Sequence, residues 1–250
     1  MQKRFVEKYL ETLEKEFEKY KKKLVNKKIG VLVSGGIDSS IIAHFVCQHF
    51  PSAVLISLQS EKSVDDDFVQ ILSTHLQIEP VLAQVTKDDF VQIKTEIISL
   101  LEGAKVDPNP MQVALSSVYY LLFKRAQKLG ISYIFTGQGP DILLGGYHKY
   151  RQLTGEILKT TIKNDLPLLK IDQKRDNAMA QRWQLQTINP YLEKKVVDFC
   201  LTVPGELLIY KGQEKYLSRL LGKKLNLPSK IVERPKHAMQ YSTGVSKLIK

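Results

Sequence analysis

Residues 29–40 read Ile29-Gly30-Val31-Leu32-Val33-Ser34-Gly35-Gly36-Ile37-Asp38-Ser39-Ser40, and this stretch decides the fold. Its beginning is a short apolar run rich in β-branched side chains, which is typical of a buried strand in a parallel sheet. A serine–glycine turn follows and leads into a predicted helix over 39–49. We therefore expect the turn to lie at the carboxyl end of a buried strand.

Strands and helices continue to alternate from this stretch to residue 135. Apolar runs predict further strands over 53–58, 81–85 and 131–135, and helices are predicted over 65–77, 88–102 and 110–129. This alternation predicts an α/β fold, a parallel sheet with helices on both faces. Ligands of such sheets bind at the carboxyl ends of the strands, so the turns at 34–40 and 136–146 are expected to flank the site.

Two segments flank this α/β core. Residues 3–27 are predicted to form one amphipathic helix, since their apolar side chains recur at spacings of three and four. No strand is predicted after Tyr147, and the rest of the chain is predicted to be mainly helical, with breaks at Pro167, Pro190, Pro204, Pro228 and Pro235. The sequence thus predicts a single domain over 1–250, with an N-terminal helix (1–27), a core (28–147) and a mainly helical part (148–250).

Composition and charge narrow the class of protein. The net charge is +11, from 37 basic and 26 acidic residues, which suits a polyanionic ligand such as ATP or RNA without choosing between them. No apolar run reaches the roughly 18 residues of a membrane-spanning helix, and the N-terminus has no signal-peptide core, so we expect a cytoplasmic protein. Cys47 and Cys200 are predicted to be buried thiols, and the five histidines show no zinc-ligand spacing.

The serine–glycine turn has the chemistry of a diphosphate cradle. Its glycines let the backbone approach a ligand, the following helix offers free amides, and Ser34, Ser39 and Ser40 add hydroxyl donors. The carboxylate of Asp38 would repel phosphate unless a cation lies between them, and Mg²⁺ meets that need. The turn has no Walker A lysine that would reach a γ-phosphate. We therefore expect ATP to be attacked at its α-phosphate, with pyrophosphate leaving and an adenylate forming.

Several motifs resemble those of a known family. SGG[IL]DSS after a buried strand resembles the loop of the N-type ATP pyrophosphatases, the PP-loop superfamily, which includes asparagine, GMP and NAD synthetases and tRNA-modifying enzymes. Residues 136–147, Thr136-Gly137-Gln138-Gly139-Pro140-Asp141-Ile142-Leu143-Leu144-Gly145-Gly146-Tyr147, resemble the [ST]GEGxDExFGGY segment of the asparagine synthetases. Further similar segments are Asn189–Glu193, Lys215-Tyr216 with Arg219, and Arg234-Pro235-Lys236, while Ala238–Tyr241 is closer to the asparagine synthetase domain-containing proteins.

This resemblance implies a fold, a reaction and site residues. The implied fold is adenine nucleotide α-hydrolase-like, and the implied reaction is ATP-dependent amide formation, as in asparagine biosynthesis, through an acyl-adenylate. Asp38 and Asp141 would hold Mg²⁺, and Lys236 would neutralise charge that develops on the α-phosphate. The pyrophosphate would be bound by Ser34, Gly35, Gly36, Ser39 and Ser40, and Leu32, Ile56 and Gly137 would surround the adenosine.

The sequence also departs from the family pattern. The family's glutamate in the second turn, a proposed catalytic base, is Gln138, whose amide cannot accept a proton at neutral pH. Ile142, Gln186 and Ile188 likewise replace charged family residues. The matching motifs support ATP binding, whereas these replaced charges do not support aspartate as the substrate.

The nitrogen source and two other functions stay open. The family's glutaminase domain requires a cysteine after the initiator methionine, where this chain has Gln2. We therefore expect free ammonia, an amine, or ammonia from a separate glutaminase subunit. The alternatives to a ligase are a tRNA-modifying enzyme, which the lysines at 19–23 permit but do not favour, and a nucleotide-binding homologue without catalysis.

Overall fold

The computed structural model describes residues 1–60, 63–237 and 239–245. A parallel five-stranded sheet with the order β3-β2-β1-β4-β5 forms the centre of the molecule. Its strands are β1 (Ile29–Leu32), β2 (Val54–Ser60), β3 (Val81–Val85), β4 (Tyr133–Phe135) and β5 (Gln186–Ile188). A separate antiparallel hairpin pairs β6 (Ile209–Tyr210) with β7 (Gln213–Glu214). The predicted α/β class is thus confirmed.

Helices cover the sheet and fill the second half of the chain. Before β5 they are α1 (Gln2–Lys23), α2 (Ile37–His49), α3 (Asp66–Leu76), α4 (Lys87–Gly103), α5 (Pro110–Lys128), α6 (Pro140–Leu143) and α7 (Gly155–Arg182). After β5 they are α8 (Lys194–Thr202), α9 (Gly205–Leu208), α10 (Tyr216–Lys224), α11 (Ser229–Glu233) and α12 (Met239–Ser242). Within the described ranges, no helix is both long and apolar enough to cross a membrane.

Side chains of β1 enter two hydrophobic cores, one on each face of the sheet. Ile29 and Val31 belong to the core that also contains side chains of α1, α2, α8 and α10. Leu32 belongs to the opposite core, with side chains of α4 and α5. Successive side chains of a strand point to opposite faces, so a strand that is covered on both faces must be apolar throughout.

Strand order reverses beside β1, and this reversal positions the site. β1 pairs with β2 on one side and with β4 on the other, both in parallel. The chain therefore leaves β1 and β4 at the same edge of the sheet, in opposite directions. A crevice at such a point is the usual ligand site of an open α/β sheet.

Two predictions about the second half of the chain were wrong. β5 is a fifth strand, paired in parallel with β4 so that Phe135 lies opposite Ile188; its three residues are too short and too polar to produce an apolar run. Pro167 lies inside α7 and does not end it. A single proline removes only one helical hydrogen bond, and buried Ile162 and Leu169 anchor the helix on both sides of it.

The match at 238–241 falls partly on residues without a description. Ala238 lies outside the described ranges, and so does the side chain of Gln240.

Candidate active site

The first turn joins β1 to α2, and Gly35 determines its shape. Gly35 has a φ of +64°, and a Cβ there would collide with the side chain of Phe68 and lie 2.6 Å from its carbonyl carbon. The hydroxyl oxygens of Ser34 and Ser39 lie 3.3 Å apart within the turn. α2 begins at Ile37, so the amides of its first turn, which have no intrahelical acceptors, lie beside these hydroxyls. Amides and hydroxyls arranged in this way can bind a phosphate chain.

The second turn follows β4 and packs directly on the first. A Cβ at Gly137 would lie 2.9 Å from the backbone nitrogen of Ser39, so glycine is what allows the two turns to touch. Thr136 Oγ1 donates a hydrogen bond of 2.5 Å to Oδ1 of Asn189, which follows β5. The short helix α6 then carries Asp141 toward the first turn.

Asp38 and Asp141 come together, and Lys215 lies between them. The Lys215 ammonium contacts Oδ2 of Asp38 and lies 2.5 Å from Oδ1 of Asp141. Lys236 lies 2.6 Å from the same Asp141 oxygen. Gly146 makes room for this contact, because a Cβ there would collide with the Lys215 chain and lie 2.7 Å from Asp141 Oδ1. The two turns and two downstream segments thus build one cluster of two carboxylates and two ammonium groups.

The two carboxyls of this cluster have pKa values shifted in opposite directions. Burial raises the pKa of Asp38 above its ordinary value, and the nearby Lys215 only partly offsets this. Burial would also raise the pKa of Asp141, but Lys215 and Lys236 together outweigh it and hold that pKa well below the ordinary value. The pKa of Lys215 is raised, because the two carboxylates outweigh the effect of its burial. Asp141 and Lys215 are therefore an ion pair at neutral pH.

The donor set fits a phosphate-bound Mg²⁺. Lys215 contacts only one oxygen of Asp38, while Oδ1 is buried and has no hydrogen-bond partner among the described residues. Asp141 presents its carboxylate from the facing turn. Mg²⁺ is usually bound by one or two carboxylates together with phosphate oxygens. Asp38 and Asp141 therefore stay our predicted metal ligands.

A cleft extends from this cluster toward the sheet. The space between its walls, including the part open to solvent, is about 1070 Å³, comparable to small-molecule sites in general. Apolar side chains on its walls include Leu32, Leu58, Val118, Leu122 and Met239. A purine ring with an attached polyanion suits such a combination of an apolar wall and a cationic end.

Most residues predicted from the sequence line this cleft. Lining positions include Leu32, Ser34, Gly36, Asp38, Ser39, Gly137, Gln138, Asp141 and Lys236. Ser40 and Ile56 do not line it, because both are fully buried. In the place of Ile56, the next residues of β2, Ser57 and Leu58, face the cleft. Gly35 acts through the shape of the turn and not through the lining.

Arg234 fastens the C-terminal segment over the cleft. Its guanidinium donates to the carbonyl of Ser34 and to Oδ1 of Asp65, both at 2.5 Å. The same group lies 4.0 Å from the ring centroid of Phe68. Ser242 adds a 2.9 Å hydrogen bond to the second oxygen of Asp65. Arg234 is thereby held against the first turn, and both Arg234 and Ser242 are held against Asp65.

Three basic residues that build the candidate site had no role predicted from the sequence. Lys215, Arg219 and Arg234 appeared only as parts of matching segments. Arg219 donates to the carbonyl of Glu214 at 2.9 Å and to that of Arg234 at 3.0 Å. It therefore joins the segment that carries Lys215 to the segment that carries Lys236. The lysine or arginine in each matching segment could have indicated these roles, but nothing in the local sequence shows that the segments meet.

Gln138 makes a contact that a glutamate could not make. Its Nε2 donates a 2.8 Å hydrogen bond to Oδ2 of Asp172, and the other Asp172 oxygen accepts from Arg175 at 2.7 Å. Arg175 is almost fully buried and also pairs with Asp176 at 2.7 Å. The amide of Gln138 can thus donate to the Asp172 carboxylate, which a glutamate carboxylate at this position would repel. Ile142, another departure from the family, is buried in the core and does not face the cleft.

We expect Gln138→Glu to destabilise the protein more at pH 8 than at pH 5. The introduced carboxyl would lie near Asp172, so its folded-state pKa would rise above the unfolded value. Stability from such a group is present at acid pH and lost as pH rises through the folded pKa. Urea unfolding should show a difference between the two pH values of about 1–3 kcal/mol, or roughly one to two pKa units. Adding Asp172→Asn should remove this difference, and an equal effect at both pH values would contradict the explanation.

Fold and site together define the class of protein. A parallel sheet whose first strand ends in a serine–glycine–aspartate turn, facing a second glycine turn with an aspartate, is the arrangement of a PP-loop protein. The family model described as asparagine synthase matches residues 21–165 and 157–249. The chain therefore belongs to the asparagine synthase family.

Curated relatives match over most of this chain. It is 26% identical over 234 residues to asparagine synthetase B (glutamine-hydrolysing) of Escherichia coli strain K12, covering 86% of this chain and 41% of that protein. It is 27% identical over 241 residues to asparagine synthetase (glutamine-hydrolysing) of Gallus gallus, covering 92% and 42%. The chain thus spans less than half the length of these relatives. Among solved structures, NMN synthetase from Francisella tularensis has a TM-score of 0.47 and 15% identity, over 97% of this chain and 77% of that one.

Proposed function

We propose that this chain is an ATP-dependent carbon–nitrogen ligase that activates a carboxylic acid as an acyl-adenylate and releases AMP and pyrophosphate. One observation carries the proposal. Two lysines converge on Asp141 beside the first turn of α2, so positive charge, free amides and carboxylates surround one end of the cleft. The glutamine-hydrolysing synthetases named above, which belong to the same family, support it.

The first step needs a grip on the leaving group and positive charge near the α-phosphate. The amides of α2 and the hydroxyls of Ser34 and Ser39 would hold the β- and γ-phosphates. A carboxylate oxygen of the acceptor attacks the α-phosphorus, the bond to the β-phosphate oxygen breaks, and pyrophosphate leaves with the electron pair. Lys236 and Lys215 would stabilise the negative charge that builds up on the α-phosphate oxygens. Mg²⁺, held by Asp38 and Asp141, would supply charge neutralisation of the phosphate chain.

The second step joins nitrogen to the activated carbon. Ammonia or an amine attacks the acyl carbon, and the bond between that carbon and the phosphate oxygen of AMP breaks. AMP leaves with the electron pair, and the proton lost from the nitrogen passes to the AMP phosphate or to water. Gln138 cannot take that proton, because an amide is not a base at neutral pH. Free ammonia, a substrate amine or ammonia from a separate glutaminase subunit would serve as the nitrogen source.

The departures from the family pattern do not favour aspartate as the acceptor acid. Gln138, which replaces a family carboxylate, lines the cleft as a neutral amide. Gln186 and Ile188, which replace two more charged family residues, lie in β5. Since Gln138 lines the cleft and Gln186 and Ile188 do not, the missing charge at Gln138 is the one that bears on the acceptor acid, and it does not favour aspartate.

ATP–pyrophosphate exchange tests the proposal directly. Labelled pyrophosphate, ATP and Mg²⁺ are incubated with the protein and one acid at a time, from a set of amino and other carboxylic acids. We expect exchange that requires one acid and Mg²⁺, and AMP with pyrophosphate in equal amounts once an amine is added. Formation of ADP would contradict the mechanism. Tight ATP binding without exchange on any acid would favour the non-catalytic alternative.

A further inference from the structure

A second group of metal-ligating side chains lies between α1 and α2. Glu14 and Glu18 are one turn apart on α1, and His49 is the last residue of α2. His49 Nε2 lies 3.4 Å from Oε1 of Glu14, and Nδ1 lies 3.6 Å from Oε1 of Glu18. One ligand atom from each of the three residues lies within 4.8 Å of the others. None of the three lines the candidate active site.

The imidazole of His49 is buried but not fully hydrogen-bonded. Its side chain is 4% exposed, and Nε2 has no hydrogen-bond partner among the described residues. The ring stacks on Phe17 with centroids 5.7 Å apart, which restricts the plane of the imidazole. A buried polar atom without a partner is destabilising, so such atoms call for an explanation. A bound cation at Nε2 would provide the missing partner.

The two carboxylates lack the lysine partners that their neighbours have. Glu11 pairs with Lys8 and Lys15, and Glu16 pairs with Lys19. Within the described part of the chain, Glu14 and Glu18 have no lysine or arginine nitrogen within 4.0 Å and contact only His49. This holds in a chain with 37 lysines and arginines. Both carboxylates are partly exposed, with 37% and 53% of the side chain accessible, so an ion could reach them from solvent.

We propose that Glu14, Glu18 and His49 bind one Zn²⁺ ion, with water as the fourth ligand. One imidazole nitrogen and two carboxylate oxygens form a donor set that zinc accepts in tetrahedral geometry. Two ligand atoms, each roughly 2.1 Å from a tetrahedral ion, lie about 3.4 Å apart, which matches the 3.4 Å between His49 Nε2 and Glu14. Glu18 Oε1 lies 3.6 Å from the other ring nitrogen, Nδ1, so its exposed side chain would rotate to reach the same ion at Nε2. The ion would link the N-terminal helix to the far end of the helix that carries the phosphate cradle. Its expected role is structural.

Zinc titration of the EDTA-treated, dialysed full chain tests this site without ATP or acid, so its result is independent of the proposed ligase activity. Calorimetry should show one zinc ion per chain, and zinc should raise the melting temperature. His49→Gln and Glu18→Gln should each weaken zinc binding at least about tenfold and abolish the rise in melting temperature. Glu11→Gln on the same helix and Asp38→Asn in the cleft should bind zinc like the wild type.

The outcomes separate a metal site from a simple ion pair. Absence of zinc binding to the wild type, or wild-type zinc affinity in both His49→Gln and Glu18→Gln, would overturn the proposal. Loss of binding in Asp38→Asn alone would place the zinc in the cleft and would also overturn it. If His49→Gln does not fold, Glu18→Gln decides, because its side chain is 53% exposed and its replacement leaves the core intact.

Discussion

Asp38→Asn is expected to reduce ATP–pyrophosphate exchange by at least about a hundredfold, the loss that follows removal of one preorganised electrostatic group from an active site. The substitution keeps the shape of the side chain but removes one of the two carboxylates that contact Lys215. Lys215 would then contact Asp141 alone, and the predicted Mg²⁺ would lose a ligand. Initial exchange rates at saturating ATP and acid measure the effect.

A loss of stability does not explain this expected loss of exchange. The pKa of Asp38 is raised mainly by burial, so the stability that this group contributes is present at acid pH and lost as pH rises through the folded pKa. Asp38→Asn should therefore gain stability relative to the wild type as pH rises from about 4, the ordinary pKa of an aspartate, to 8. Urea unfolding at both pH values checks this.

Asp88→Asn, on an exposed helix start, is the matched control and should exchange like the wild type. Normal exchange by Asp38→Asn would remove Asp38 from the active site.

Gly35→Ala is expected to destabilise the fold by about 2–5 kcal/mol and to weaken ATP binding at least tenfold. A left-handed conformation costs a non-glycine residue roughly 1–2 kcal/mol, and overpacking adds about 1–3 kcal/mol. Both costs apply here, because Gly35 has a φ of +64° and its Cβ would collide with Phe68. Relief requires the turn to move away from Phe68, and the amides and hydroxyls of the cradle would move with it. Urea unfolding and ATP titration measure the two effects.

Gly212→Ala separates the two costs. Gly212 also has a positive φ, +77°, but a Cβ there would meet nothing within 4 Å. This variant should show only the conformational cost, roughly 1–2 kcal/mol, with unchanged ATP affinity. Equal destabilisation of both variants, with ATP affinity kept in Gly35→Ala, would show that contact with Phe68 does not shape the cradle.

Local sequence determined much of the fold. β1 is apolar throughout because it is covered on both faces, and that pattern was visible without any tertiary information. Asn109 caps α5 through a 3.1 Å bond from the amide of Gln112, as the Asn-Pro start predicted. β5 could not be predicted in this way. Its residues pair with β4 across a separation of more than 50 positions, and their strand conformation depends on that pairing and not on local preference.

Local motifs likewise predicted the two turns of the candidate site. The two turns were visible because each needs glycine where the backbone approaches another group, as Gly137 does against Ser39. The basic half was not assigned, since Lys215 and Arg234 reach the turns only through long-range packing. Lys215 itself has a φ of +53°, an unusual conformation for lysine that places its side chain between the aspartates. The placement of Lys215 and Arg234 at the candidate site therefore depends on the tertiary fold and not on the local sequence.

The pairing of β5 with β4 has a consequence for how this protein emerges from the ribosome. The cradle at 34–40 is translated long before the strand that covers β4 and before the lysines that complete the charge cluster. Until residues 186–188 arrive, β4 is an exposed strand edge, the kind of surface on which unfinished chains aggregate. Nascent chains that stall near residue 147 should thus need chaperone protection, and the proposed nucleotide contacts of Lys215 and Lys236 would not yet be available to them.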